Sequence, residues 1–154
     1  MKAVYAGSFD PFTNGHLYLY NEAKKLFDEV HVLVAINSSK FKDVAYWDRD
    51  AKLSSMSQKI KNILGENSIV IAYYGLVAKY CKENNITYLI RGLRNTSDYM
   101  YEENIAKING ELFPDLKTIY FRADNEIISS TMVRSLLEFG EDVSKYLPKG
   151  VLDV

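Results

Sequence analysis

The segment from Gly7 to His16 carries groups whose types and spacing suit the binding of phosphate. Glycine lets backbone N–H groups approach a ligand closely, and Pro11 stiffens the turn between the two glycines of this segment. A helix that starts near Asn14 would direct its free N–H groups and its positive dipole end into the same space. The Ser8 hydroxyl and an imidazole N–H of His16 can both donate to phosphate oxygens. The segment therefore predicts a phosphate site, the structural alternative being a turn with a capping Asn14 and a surface histidine.

A second cluster follows the apolar run 88–90, where Arg91 and Arg94 flank Gly92 and Leu93. The planar guanidinium group presents a fork of N–H donors that matches phosphate oxygens. The structural alternative is a pair of salt bridges to acids of the next helix, such as Asp98 and Glu102. Because the arginines follow a buried strand, we expect them at the sheet edge where ligands bind.

Hydroxyl and lysine side chains follow two more apolar runs. Ser129, Ser130 and Thr131 stand at the start of a predicted helix, where one hydroxyl is an ordinary N-cap. Three in a row exceed what a single cap requires, and a helix start also binds phosphate. The loop 37–42 offers Ser39 and Lys40, a combination that can hold an anion but is by itself typical of a solvated loop.

Several function classes lose support from what the sequence lacks. It contains neither G-x-x-x-x-G-K-[ST] nor G-x-G-x-x-G, which disfavours a P-loop and NAD chemistry. Cys81 is the only cysteine and has no partner at ligand spacing, which excludes an intrachain disulfide, favours a reducing compartment and disfavours a protein-held zinc. The net charge of −1 argues against nucleic-acid binding. No apolar run approaches the roughly 20 residues of a membrane span, and residues 1–5 do not resemble a signal peptide.

Strand-like runs alternate with helical patterns along all 154 residues, which we interpret as one domain, 1–154. Nearly continuous apolar strands joined by helices predict an α/β fold with a doubly wound, five-stranded parallel sheet and helices on both faces. Ligands of such sheets bind beyond the carboxyl ends of the strands, where the polar clusters fall. His31 lies within a strand and is interpreted as structural. The predicted strands are 2–6, 30–36, 68–74, 87–90 and 117–122, and the predicted helices are 14–27, 47–64, 76–83, 97–112 and 129–139.

These motifs resemble those of the bacterial phosphopantetheine adenylyltransferase family, which belongs to the nucleotidyltransferase superfamily. The segment from Gly7 to His16 resembles the motif G-[ST]-F-D-P-x-T-x-G-H of the superfamily. The run from Ile90 to Arg94, followed by Asp98, Tyr101 and Glu102, is more specific to this family. The resemblance extends over nearly the whole chain and implies a Rossmann-like nucleotidyltransferase that transfers the adenylyl group of ATP to 4′-phosphopantetheine.

The resemblance also implies roles for individual residues. His16, Lys40 and Arg91 would be catalytic, His16 by stabilising the transition state. The acceptor 4′-phosphopantetheine would contact Ser8, Lys40, Val77 and Arg91. ATP would contact a larger set: Ser8, Phe9, His16, Gly92, Leu93, Arg94, Glu102, Ser129, Ser130 and Thr131.

Family members are typically magnesium-dependent, cytoplasmic homohexamers, so the resemblance implies Mg²⁺ as cofactor, with no protein metal site, and self-association. The stretch 125–131 lacks the aromatic residues usual in the family, and Ile-Ser-Ser-Thr also occurs in related mononucleotide adenylyltransferases. Adenylyl or cytidylyl transfer to another phosphate acceptor, such as nicotinate mononucleotide, therefore stays open. A nucleotide-binding regulatory module without turnover is the alternative from a different class.

Overall fold

Five strands pair into one parallel sheet in the computed structural model, which describes residues 1–35, 46–123 and 129–152. In chain order they are β1 (Lys2–Gly7), β2 (Glu29–Ala35), β3 (Ile69–Tyr73), β4 (Tyr88–Leu93) and β5 (Lys117–Arg122). Their order across the sheet is β3-β2-β1-β4-β5, and every neighbouring pair is parallel. The chain builds outward from β1 in both directions, which makes the β1–β4 boundary the switch point of the topology.

Helices cover both faces of this sheet. They are α1 (Asn14–Leu26), α2 (Tyr46–Leu64), α3 (Val77–Glu83), α4 (Thr96–Leu112) and α5 (Ser130–Glu138). One apolar core contains buried residues of α1, α2 and α5, and the other contains those of α3. Helix α4 packs beside α3 and contacts β4 and β5. The predicted doubly wound α/β fold is thus confirmed, and none of the described helices is long and apolar enough to cross a membrane.

The central strand β1 shows why its sequence is apolar without alternation. Successive side chains of a strand point to opposite faces. Ala3 and Tyr5 belong to the core on one face, whereas Val4 and Ala6 belong to the core on the other. All four are buried, so both faces of β1 require apolar residues.

Strand β4 is longer than the prediction of 87–90. It runs to Leu93 because Arg91, Gly92 and Leu93 pair in register with the last residues of β5. The two arginines therefore differ in setting, since Arg91 belongs to the strand and Arg94 follows it. The predicted loop 37–45 lies outside the described residues.

Candidate active site

A pocket of about 240 Å³ opens at the carboxyl ends of β1 and β4, which is the switch point of the sheet. It gathers predicted residues from the first loop, α1, β4, α4 and the start of α5. The predicted residues that line it are Ser8, Phe9, His16, Arg91, Gly92, Arg94, Glu102, Ser129, Ser130 and Thr131.

His16 is oriented in this pocket by the residue that caps α1. The Thr13 hydroxyl accepts the backbone N–H of His16, and the Thr13 backbone N–H donates to His16 Nδ1 at 2.9 Å. Because Nδ1 accepts, the proton of the neutral ring resides on Nε2, which becomes a hydrogen-bond donor. The capping Asn14 of the structural alternative is not observed, because Thr13 is the N-cap. Its side chain instead donates to the Lys145 carbonyl at 3.0 Å, since the chain already turns into the helix at Thr13.

The imidazole of His16 stays neutral at physiological pH. Burial, followed by the charges of Arg94 and Arg91, lowers the pKa of His16 from 6.5 to about 3. The ring stacks on Phe12 at a centroid distance of 5.5 Å and meets the Phe9 ring edge-on at 5.0 Å. His16 is therefore equipped to donate a hydrogen bond without acting as a proton source.

Phe9, in the loop after β1, has a backbone conformation that residues other than glycine rarely adopt. Phe9 has φ +47°, and its ring is buried against the rings of Tyr5 and Phe12. A Cβ atom at Gly7 would come within 3.0 Å of that ring, so glycine makes room for it. Burial of the ring thus fixes the backbone of Phe9 beside the pocket.

Both arginines of the second cluster form the salt bridges that the structural interpretation predicts. Arg91 donates from Nε and Nη2 to the two oxygens of Glu102, each at 2.7 Å, and from Nη1 to the Ala6 carbonyl at 2.8 Å. Arg94 donates from Nε to Asp98 Oδ2 at 3.0 Å. Both arginines nevertheless line the pocket, so the two interpretations are compatible.

The three hydroxyls at the start of α5 have different partners. Ser129 is the N-cap and accepts the Met132 backbone N–H at 3.0 Å, while Thr131 accepts from Arg134 Nη2 at 3.2 Å. A hydroxyl that accepts still has its own proton to donate, so both can donate to a phosphate. Ser130 instead donates its proton to the Pro11 carbonyl at 2.8 Å. In this arrangement Ser130 can offer a ligand its backbone N–H but not its hydroxyl proton.

The chain matches a family model over most of its length and two relatives over nearly all of it. A model of the cytidylyltransferase-like family matches residues 4–136. A phosphopantetheine adenylyltransferase of Wolbachia pipientis wMel is 40% identical over 150 residues, covering 96% of this chain and 87% of the relative. The enzyme of the same name from Shouchella clausii is 36% identical over 97% of this chain and 92% of its own length. The chain belongs to the phosphopantetheine adenylyltransferase family.

A solved structure with little sequence identity to this phosphopantetheine adenylyltransferase family member shares its fold. A putative nicotinate-nucleotide adenylyltransferase from Vibrio parahaemolyticus superposes with a TM-score of 0.62 over 97% of this chain and 88% of the other. At 17% identity this likeness concerns the nucleotidyltransferase fold alone.

Two of the predicted site residues that the structure describes do not line the pocket. Leu93 and Val77 are absent from its lining, and Val77 packs instead against the core that contains α3. Lys40 lies outside the described residues. His31, interpreted as structural, is buried and bonded to the Tyr80 hydroxyl at 2.8 Å, away from the pocket.

Two residues outside the predicted set, Arg134 and Leu19, also shape the site of this family member. Arg134 donates from Nη1 to the Asp10 carbonyl and so ties α5 to the first loop, beside the bond of Ser130. Leu19 of α1 packs so closely over Gly92 that an added Cβ would lie 2.6 Å from its Cδ1. No local pattern indicates the first contact, because Asp10 and Arg134 are 124 residues apart. The same holds for the packing of Leu19 over Gly92.

Proposed function

We propose that the chain transfers the adenylyl group of ATP to 4′-phosphopantetheine, yielding dephospho-coenzyme A and pyrophosphate. The observation that carries the proposal is the meeting of His16, Arg91, Arg94 and the start of α5 in one pocket at the switch point. The names of the relatives supply the acceptor, and their similarity extends over nearly the full chain.

The donors of the pocket suit direct transfer by in-line attack. A phosphate oxygen of the acceptor forms a bond to the α-phosphorus of ATP while the bond from that phosphorus to the bridging oxygen breaks. Pyrophosphate leaves with the electron pair. The acceptor phosphate is already ionised near pH 7, so the reaction requires no strong base. His16 Nε2–H donates to the α-phosphate as negative charge develops there, which stabilises the transition state.

The remaining contacts are assigned by position in the pocket and by family resemblance. Arg94, with the hydroxyls of Ser129 and Thr131, would hold the departing pyrophosphate at the start of α5. The backbones of Phe9, Ser130, Gly92 and Leu93, with Glu102, complete the proposed ATP contacts. Ser8 would contact both substrates, and Arg91, Lys40 and Val77 would hold the acceptor.

Magnesium is proposed as the cofactor, carried by the triphosphate. In the described part of the chain no group of three or more His, Cys, Asp and Glu could hold a metal ion. Glu102 is the carboxylate among the described lining residues, and Arg91 already occupies both of its oxygens. This fits Mg²⁺, which keeps several water ligands and is commonly bound through substrate phosphates. When bound it would neutralise phosphate charge.

We also propose a cytoplasmic location and self-association. Cys81, the single cysteine, is a buried free thiol, which suits a reducing compartment. Helix α4 exposes the large apolar side chains of Tyr101, Ile108 and Leu112, which suit a contact with a second copy.

A panel of acceptors tests the proposed reaction. Pyrophosphate release is measured with ATP and 4′-phosphopantetheine, nicotinate mononucleotide or no acceptor, and again with CTP as the nucleotide. We expect release with ATP and 4′-phosphopantetheine together, with dephospho-coenzyme A identified by mass spectrometry. Release with nicotinate mononucleotide instead would establish the alternative acceptor. ATP binding without release under every condition would indicate a regulatory module.

A further inference from the structure

We infer that the protein has a second binding site, between the first loop, α2 and α5, for a small alkyl carboxylate. A second cavity of about 290 Å³ lies there and is also lined by the last residues of the described chain. Sites for small molecules commonly measure roughly 300–1,000 Å³ and combine apolar walls with a few polar groups. The volume of the second cavity therefore suits a small ligand rather than a large cofactor.

One face of α2 forms an apolar wall of the second cavity. Met56, Ile60 and Ile63 follow one another at spacings of four and three residues, so their side chains lie along one side of the helix. Phe12 of the first loop and Val151 near the end of the described chain line the same cavity and are buried. Such walls bind an alkyl chain by removing it from water.

Three cationic side chains adjoin these apolar walls. Lys52 and Lys59 of α2 and Arg134 of α5 line the second cavity, and Asp10 is the acid among its described lining residues. The whole chain carries a net charge of −1, so positive charge is concentrated at this cavity. A cationic rim beside apolar walls is complementary to an anionic head on an apolar chain.

The hydrogen-bond donors of the rim favour a carboxylate as the head group. Arg134 donates from Nη1 to the Asp10 carbonyl and from Nη2 to the Thr131 hydroxyl, which leaves three of its five N–H groups for a ligand. Lys52 binds Asp10 Oδ2 at 3.2 Å, and an ammonium group has three donors, so it can bind a second carboxylate as well. A singly charged carboxylate also loses less hydration in a mostly apolar cavity than a doubly charged phosphate.

The second cavity shares side chains with the proposed active site. Phe9 lines both cavities, and Phe12 of the second cavity stacks on His16 at a centroid distance of 5.5 Å. A bound carboxylate would compete for the two cations that hold Asp10 in the first loop. Occupancy of the second cavity should therefore loosen this loop and lower kcat, an effect that rests on the proposed function.

Isothermal titration calorimetry with octanoate, below the concentration at which it forms micelles, tests the site without any substrate. Octanamide keeps the chain but lacks the charge, and acetate keeps the charge but lacks the chain. We expect octanoate to bind saturably, with one site per chain. Octanamide and acetate should each bind at least about tenfold more weakly, because each lacks one half of the recognised structure.

Two variants with matched controls locate the bound octanoate. Leu137→Glu places a negative charge at an exposed lining residue, and Lys59→Gln removes one cation of the rim. Each variant should raise the Kd for octanoate about tenfold, through repulsion or lost attraction. The controls are Leu26→Glu, at another exposed leucine, and Lys79→Gln, at an exposed lysine of α3; neither residue lines the second cavity. Both controls should keep the wild-type Kd.

Initial rates of pyrophosphate release at saturating substrates measure the link to the first loop. Saturating octanoate should lower kcat of the wild type at least about twofold. The same concentration should leave kcat of Leu137→Glu unchanged, because this variant binds octanoate weakly. An unchanged kcat in the wild type would show that the second cavity does not act on the loop.

Three results of the calorimetry would overturn the binding site: no binding of octanoate, equal losses of affinity in variants and controls, or tighter binding of octyl phosphate or octanamide than of octanoate. If octanoate does not bind and Leu137→Glu sediments as a smaller species than the wild type, a second copy of the chain covers the cavity instead. The calorimetry requires no turnover, so a failure of the proposed function leaves this test of the site intact.

Discussion

At the scale of the residue, the chemistry of His16 depends on one backbone contact. The Thr13 N–H occupies Nδ1, which selects the tautomer with the proton on Nε2 and so makes Nε2 a donor. The positive charges of Arg91 and Arg94 oppose protonation of the ring. A neutral donor can stabilise developing charge, whereas burial of a charged histidine in this setting would cost desolvation free energy.

Replacing His16 with alanine should lower kcat by about 10²–10³, the effect of losing one oxyanion donor. The control is His31→Gln at the other histidine, which is bonded to Tyr80 away from the pocket. Its kcat should match the wild type, and initial rates at saturating substrates measure both. A His16→Ala enzyme with a near-normal kcat would remove His16 from the mechanism.

The lowered pKa of His16 also predicts how the stability of the fold depends on pH. In the unfolded chain His16 takes up a proton below its ordinary pKa of 6.5, whereas in the folded protein it does so only near 3. The unfolded state therefore binds more protons in this window, and the stability that neutral His16 permits is lost as the pH falls from about 6.5 to about 3.

Thermal unfolding of wild type and His16→Gln, measured between about pH 7 and pH 4, isolates this contribution. Wild type should lose more stability on acidification than the variant, by on the order of 1–3 kcal/mol. The glutamine does not titrate, and all other acid-sensitive groups are common to both proteins. The difference between their losses of stability therefore reports His16. Parallel losses in the two proteins would show that the pKa of His16 is not lowered in the fold.

At the scale of the element, the contact between α1 and β4 sets the width of the pocket. Leu19 is buried over Gly92, and the missing side chain of that glycine allows the helix to lie close to the strand. The same helix carries His16, so this packing also sets the distance from the imidazole to the arginines after β4.

Gly92→Ala should destabilise the protein by about 1–3 kcal/mol, because the new methyl group would overlap the buried Leu19 side chain. The matched control is Gly110→Ala in α4, where an added Cβ meets nothing within 4 Å. That change should stabilise the protein by about 0.5–1 kcal/mol through helix propensity. Urea unfolding measures both, and equal effects would contradict the packing argument.

The order of the elements could be predicted because periodicity and apolar runs are local signals. The ends were less predictable. Strand β4 extends through Arg91, Gly92 and Leu93 because β5 supplies hydrogen-bond partners that no local pattern reveals. The cap of α1 at Thr13 instead of Asn14 likewise depends on a reciprocal contact with His16.

At the scale of the whole molecule, the exposed apolar residues of α4 offer a surface for contact between copies of the chain. Met100, Tyr101, Ile108 and Leu112 are all exposed on this helix. Their removal from water in a contact between copies would contribute to self-association, since buried apolar area stabilises protein interfaces. Helix α4 also positions both pocket arginines, so a contact on its outer surface would support the site.

Sedimentation velocity tests the proposed assembly. Wild type should sediment as an oligomer, and Ile108→Lys should shift it to smaller species, because a charge replaces an apolar contact. Phe139→Lys is the matched control, since Phe139 is also an exposed apolar residue but follows α5 instead. A monomeric wild type, or equal shifts in both variants, would contradict the assignment of this surface.

The α/β class, the order of the elements and most of the polar groups at the sheet edge could be predicted from the sequence alone. These follow from hydrophobic periodicity and from the rule that ligands bind at the carboxyl ends of parallel strands. How those groups contact and influence one another depends on the folded arrangement. The tautomer and pKa of His16, the pairing of Arg91 with Glu102 and the hydroxyl bond of Ser130 to Pro11 depend on neighbours distant in sequence or on exact distances. Hydrogen bonds and charge effects change steeply over an ångström, and residue types alone do not specify distances.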